Sequence, residues 1–66
     1  MNLRKLRAKF VEQGVSVGTV AEILGIDRST MYRKLNNFEK ITIGEAKKLK
    51  ELLSLTDEEA REIFLT

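Results

Sequence analysis

The sequence predicts an all-α fold, a compact five-helix bundle, and three observations carry that prediction. A small polar residue preceded by an apolar one recurs five times, the pattern of a helix cap with its hydrophobic staple. Apolar residues behind each cap fall at i, i+3, i+4 and i+7, the spacing of helices with one buried face. A composition 42% hydrophobic and 33% charged fits a helical globular domain rather than a disordered tail. Ile41-Thr42-Ile43 alternates as a strand would, but a triplet between two helices builds no sheet.

The first helix is expected over residues 3–13, with Met1-Asn2 as staple and cap against Leu6 and a core stripe of Leu3, Leu6 and Phe10. Gly14 can take the left-handed conformation that closes it. The second runs over about 17–24, from Val15-Ser16 against Val20, burying Val17, Val20, Ala21 and Leu24, and closes at Gly25. The third spans about 28–36, from Ile26-Asp27 against Met31, with Met31 and Leu35 inward and Asn36-Asn37 as terminator. The fourth covers 43–53, from Ile41-Thr42 against Ala46, with Ala46, Leu49, Leu52 and Leu53 inward. The fifth covers 57–65, from Leu55-Thr56 against Ala60, with Ala60, Ile63 and Phe64 inward. Glu45 and Glu59 follow their threonines by three residues, which makes the last two starts full capping boxes. Phe38 is expected in the core. No linker or low-complexity tract interrupts 1–66, so one domain is expected.

Absences narrow the chemistry. With no cysteine there is no disulfide or thiolate zinc site, and with no histidine the usual general base and commonest metal ligand are missing. Ser29, Thr30, Tyr32 and Lys34 cluster in sequence without an orienting acid, so an enzyme is not expected. Neither is a metal, a cofactor or a small-molecule substrate. No apolar stretch approaches the ~20 residues of a membrane helix, and the basic N-terminal segment is followed by no apolar run of a secretory signal. A cytoplasmic, nucleoid-associated protein is the expectation.

Charge points to an anionic partner. The net charge of +2 splits into +4 over residues 1–40 and −2 over residues 41–66, with a pI near 9.2. Simple solvation of a small surface would leave the same composition. Arg4, Lys5, Arg7 and Lys9 read as a solvated face of the first helix, of which one residue could touch DNA. Lys47, Lys48 and Lys50 read as surface partners of Glu45 and Glu51.

The middle of the chain, SVGTVAEILGIDRSTMYRKLN over 16–36, is more specific. Two short helices meet through Leu24-Gly25-Ile26-Asp27. Ala21 lets the third helix approach the second, Gly25 turns the chain sharply, and Val20, Leu24, Ile26 and Met31 fill the angle. This is a helix-turn-helix, whose second helix enters the major groove of double-stranded DNA.

The segment resembles the helix-turn-helix of the Cro and repressor family of phage regulators, the XRE-like group. The five-helix layout is similar to that family's lambda-repressor-like domain, and IDRSTMYRKLNN is close to recognition helices of its small members. The resemblance implies a transcriptional regulator that binds an operator. One position departs from the family pattern: Lys34 stands where an apolar residue is usual, three places after Met31. Either its stem lies on the core with the charge snorkelled out, or the third helix is rotated from the family phase.

With Met31 and Leu35 inward, Arg28, Tyr32 and Asn36 form one outward row, and Ser29 and Arg33 the next. Arg28 and Ser29 lie in the first turn, which reaches base edges, and arginine can bond O6 and N7 of guanine. Tyr32 can pack on a thymine methyl or bond a phosphate, Arg33 can read a base or bond a phosphate, and Asn36 suits a phosphate. Ser16 and the amides near Val17, Gly18 and Thr19 form a candidate phosphate site at the second helix's N-terminus. Gly18 would then be explained by close phosphate approach, or else is a tolerated glycine. Asn37, Lys40 and Thr42 lie where the resemblance implies a second phosphate contact, though Lys40 could equally be solvated and unbound.

The fifth helix ends in the apolar group Ile63-Phe64-Leu65. They close the monomer core or share a dimer contact, and both hold if Leu65 alone is exposed. Any homodimer is expected to be weak or DNA-assisted. A helix-turn-helix protein-interaction module without DNA reading is the alternative function.

Overall fold

The structure, a computed structural model, describes residues 1–65. Helices form at the capped positions: α1 Leu3–Gln13, α2 Val17–Leu24, α3 Arg28–Leu35, α4 Ile43–Leu52 and α5 Asp57–Phe64. Asn2 Oδ1 accepts the Lys5 amide at 3.1 Å and Ser16 Oγ the Thr19 amide at 3.1 Å. Thr42 with Glu45 and Thr56 with Glu59 close reciprocal capping boxes. Asp27 is the exception: its backbone is extended as a cap should be, but its side chain accepts no capping bond.

The last three helices each stop one residue before the expected end. Asn36, Leu53 and Leu65 have ψ of 13°, 1° and 9°, where the chain leaves the helix.

Three connections share one construction: Gly14-Val15-Ser16, Gly25-Ile26-Asp27 and Ser54-Leu55-Thr56. The first residue has positive φ (67°, 72° and 51°). The amide of the second donates back to the helix, Val15 to Phe10 at 3.0 Å, Ile26 to Ala21 at 3.0 Å and Leu55 to Lys50 at 2.9 Å. These are the long bonds of Schellman motifs. The apolar middle residue ends one helix and staples the next, so it is drawn into or against the core.

The α3–α4 connection separates those duties. Asn37 takes the positive φ of 63° and the Phe38 amide donates to the Arg33 carbonyl at 2.8 Å. Ile41, three residues on, is the buried staple. Phe38 is therefore released, and it is 80% exposed rather than in the core as its aromatic character predicts.

Leu6, Val20, Met31, Leu49, Leu53 and Ile63 have essentially no exposed surface. Burial of each contributes roughly 1.5–3 kcal/mol. Leu3, Val17, Ala46, Leu52, Ala60 and Phe64 pack around them half-buried. Ile63 is fully buried in this core, Phe64 is half-buried and Leu65 is exposed.

α2 and α3 pack most closely on each other, and α1 lies against α5. The Asn2 amide donates to the Ile63 carbonyl at 2.7 Å. Lys5 pairs with Glu62, and Lys9 with Glu59 and, at 3.6 Å, with Glu12. Those two lysines are thus not a solvated face but the seam between first and last helices. Among the described residues no helix is long and apolar enough to cross a membrane.

Candidate nucleic-acid interface

The angle between α2 and α3 is set from within. Ala21 is buried, leaving room for α3, and Gly25 at φ 72° reverses the chain without the clash a Cβ brings. Val20, Leu24 and Met31 are buried in the elbow and Ile26 packs against them. The opposite face of α3 presents Arg28, Ser29, Tyr32, Arg33 and Asn36, all exposed. The row drawn from helical spacing therefore lies on one surface.

Those side chains are not equally free. Arg28 makes no ion pair or hydrogen bond with the described residues, and its guanidinium lies against Gly18 in the first turn of α2. Arg33 Nη2 donates to Thr30 Oγ1 at 3.0 Å, and its Nε is 3.8 Å from the Glu39 carboxylate. Asn36 Nδ2 donates to the Tyr32 carbonyl at 2.9 Å. Arg33 and Asn36 are thus oriented by neighbours, and Arg28 carries an unneutralised charge.

At the start of α2 the Thr19 amide is already taken by Ser16 Oγ, and the Ser16 hydroxyl donates to Thr19 Oγ1 at 2.9 Å. This narrows the amides open to an anion to those of Val17 and Gly18, which helix geometry leaves without an intrahelical acceptor.

Lys34 resolves the departure from the family pattern in a way neither alternative foresaw. α3 keeps its phase, with Met31, Lys34 and Leu35 all inward, and Lys34 is only 6% exposed. Its charge does not reach solvent: Nζ lies 2.9 Å from Glu45 Oε1 and donates to the Lys40 carbonyl at 2.9 Å. Burial pushes the Glu45 carboxyl pKa up, but the Thr42 amide and the Lys34 ammonium outweigh it and hold the pKa below the usual range. One buried cation thereby ties α3, the following loop and the α4 cap together. Glu45 consequently faces α3 rather than Lys47 or Lys48, and Lys50 pairs with Asp57 instead of Glu51. The Lys40 side chain is exposed, lines a cleft with Asn37, and has no ion-pair partner among the described residues.

Arg7, grouped by its sequence with the other cations of the first helix, lies beside the exposed face of α3. Its Nη1 donates to Asn36 Oδ1 at 3.4 Å. It lines a cleft with Ser16, Val17, Tyr32 and Asn36, so α1 adds a cation beside both proposed phosphate sites. The signal was its place three residues before Phe10 and four after Leu3, at the edge of the buried stripe.

No curated protein and no solved structure matches the chain. A family model, the helix-turn-helix domain of resolvase, matches residues 4–37, which run from the second residue of α1 through α2 and α3 into the turn that closes α3. The match supports a helix-turn-helix DNA-binding domain without singling out the Cro and repressor group that the sequence resembles. With its turn, its exposed α3 and more than half its length inside that match, the chain belongs to the resolvase-type helix-turn-helix family.

Proposed function

We propose that this chain is a sequence-specific transcriptional regulator of Cro type that inserts α3 into the major groove of an operator. The observation that carries the reading is the exposed row Arg28, Ser29, Tyr32 and Arg33 on the outer face of a buried α2–α3 elbow. Arg28 and Ser29 reach base edges from the first turn, and Tyr32 and Arg33 from the second. Ser16, the Val17 amide and Thr19 on one side, and Asn36, Asn37 and Lys40 on the other, bond the phosphates that fix the register. Arg7 joins the set beside Asn36. The domain is one unit over 1–66, and a weak, DNA-assisted homodimer would use Leu65 and the open edge of Phe64.

The family match favours a second reading, in which the same surface is the DNA-targeting segment of a site-specific recombination protein. Selection of bound sites from a random duplex library distinguishes the two. A two-fold site with half-sites about 34 Å apart supports the regulator dimer. A single asymmetric half-site supports the targeting segment. Absence of duplex binding even at low salt would leave a protein-interaction module and sink both.

A further inference from the structure

Two glycines occupy the same position in their helices. Gly18 is the second residue of α2 and Gly44 the second of α4. Their surroundings differ. A Cβ on Gly44 would meet nothing nearer than its own cap hydroxyl, Thr42 Oγ1, at 4.0 Å. A Cβ on Gly18 would lie 3.0 Å from Arg28 Nη2, 3.1 Å from Nε and 3.4 Å from Cζ. The space a side chain would fill at Gly18 is filled by the Arg28 guanidinium.

Nothing else holds that group. Arg28 is exposed and forms no hydrogen bond or ion pair among the described residues, although Asp27 precedes it and Glu22 lies on the facing helix. Its charge also rests beside the positive end of the α2 dipole, a place made favourable by a nearby anion rather than by the protein. Contact with the bare Gly18 backbone is therefore what sets the resting position of the side chain.

We infer that Gly18 is a positioning residue for DNA readout: its missing side chain is a seat that directs the Arg28 guanidinium. The inference rests on the reading of α3 as the recognition helix. It gives Gly18 a reason other than close phosphate approach. It also predicts opposite signs for folding and recognition. A helix favours alanine over glycine, so filling the seat stabilises the fold while displacing the residue that reads DNA.

The test compares Gly18→Ala, Gly18→Leu and Gly44→Ala, each with and without Arg28→Ala. The first readout needs no DNA. In the free protein the Arg28 Nε–H resonance should show restricted motion by heteronuclear NOE, and the restriction should be reduced by Gly18→Ala and abolished by Gly18→Leu. Gly44→Ala should leave it unchanged. All three variants should melt at or above the temperature of the parent. The second readout is base preference on selected duplexes. Gly18→Leu should weaken discrimination at the base pair read by Arg28 by about fivefold or more, and should have no further effect once Arg28 is alanine.

An Arg28 resonance unmoved by Gly18→Leu would overturn the seat. So would a loss of DNA binding that persists in the Arg28→Ala background, because leucine would then obstruct DNA directly. If the parent protein binds no duplex at low salt, recognition by α3 fails as a whole, whereas the Arg28 resonance still decides whether the seat exists.

Discussion

The bundle uses its cations in two opposite ways. Along the α1–α5 seam Lys5 and Lys9 are matched to Glu62 and Glu59, and at the start of α5 Lys50 is matched to Asp57. Among the described residues, neither Arg28 on the α2–α3 face nor Lys40 in the loop that follows has an acidic partner. The same residue types hold the fold together on one side and leave charge for a ligand on the other. A net charge cannot distinguish these uses, because it counts matched and unmatched cations alike. Lys34 crosses the division: it belongs to α3 but is matched and buried like a seam residue.

Breaking that exception gives the largest expected effect. Glu45→Ala leaves the Lys34 ammonium buried with only the Lys40 carbonyl, which should cost about 3 kcal/mol in urea unfolding. Lys34→Met leaves the part-buried Glu45 carboxylate with only the Thr42 amide and should destabilise less than Glu45→Ala, because Glu45 is the more exposed partner. Adding Lys34→Met to Glu45→Ala should restore most of the loss. A Glu45→Ala cost no larger than that of a lost cap, about 1 kcal/mol, would mean that the pair does not anchor α3.

On the unmatched face the expected change is in recognition, not folding. Arg28→Ala should lower discrimination at one base pair by about 1–3 kcal/mol and leave the unfolding midpoint alone. Equal weakening on every duplex would reassign Arg28 to the backbone.

A smaller effect sharpens the boundary between the two regions within a single helix. Arg7 and Lys9 are two residues apart in α1 but face different partners, Asn36 and Glu59. Arg7→Ala should reduce the slope of log affinity against log salt by roughly 0.9, the value of one phosphate contact. Lys9→Ala should leave the slope unchanged. Equal slopes for the two variants would remove Arg7 from the interface.

Most of this division was legible in part. Caps and apolar spacing located all five helices because those signals are local: Ser16, Thr42 and Thr56 bond amides three residues away. The outward row on α3 followed from the inward positions of Met31 and Leu35. What escaped were pairings across the fold. Lys9 and Glu59 are fifty residues apart in sequence, and nothing in the spacing of α1 indicates that α5 will supply the carboxylate. Phe38 escaped for another reason. Its hydrophobicity predicts burial, but the longer α3–α4 connection gives the staple to Ile41 and leaves Phe38 outside. Lys34 was visible as an irregularity, and only the position of Glu45 explained it.

The mildest way to test the matched region is acid. The Lys9 ammonium bonding Glu59, aided by the Thr56 amide, holds the Glu59 pKa at about 2 against an ordinary 4.5. A carboxyl whose pKa is lower in the folded state stabilises it fully above the unfolded value, and the contribution fades as the group is protonated. The Glu59 contribution should therefore be complete above pH 4.5 and lost progressively as pH falls toward 2. Lys9→Met removes its main cause, so stability should decline less steeply across that window than in the parent. The decline should not vanish, because Asp57, lowered chiefly by its bond from Lys50, and Glu45 titrate in the same acid range. At neutral pH and moderate salt the same variant should bind DNA as the parent does. An unchanged acid profile would show that the seam cations are as uncommitted as those facing α3, and the contrast between the two regions would collapse.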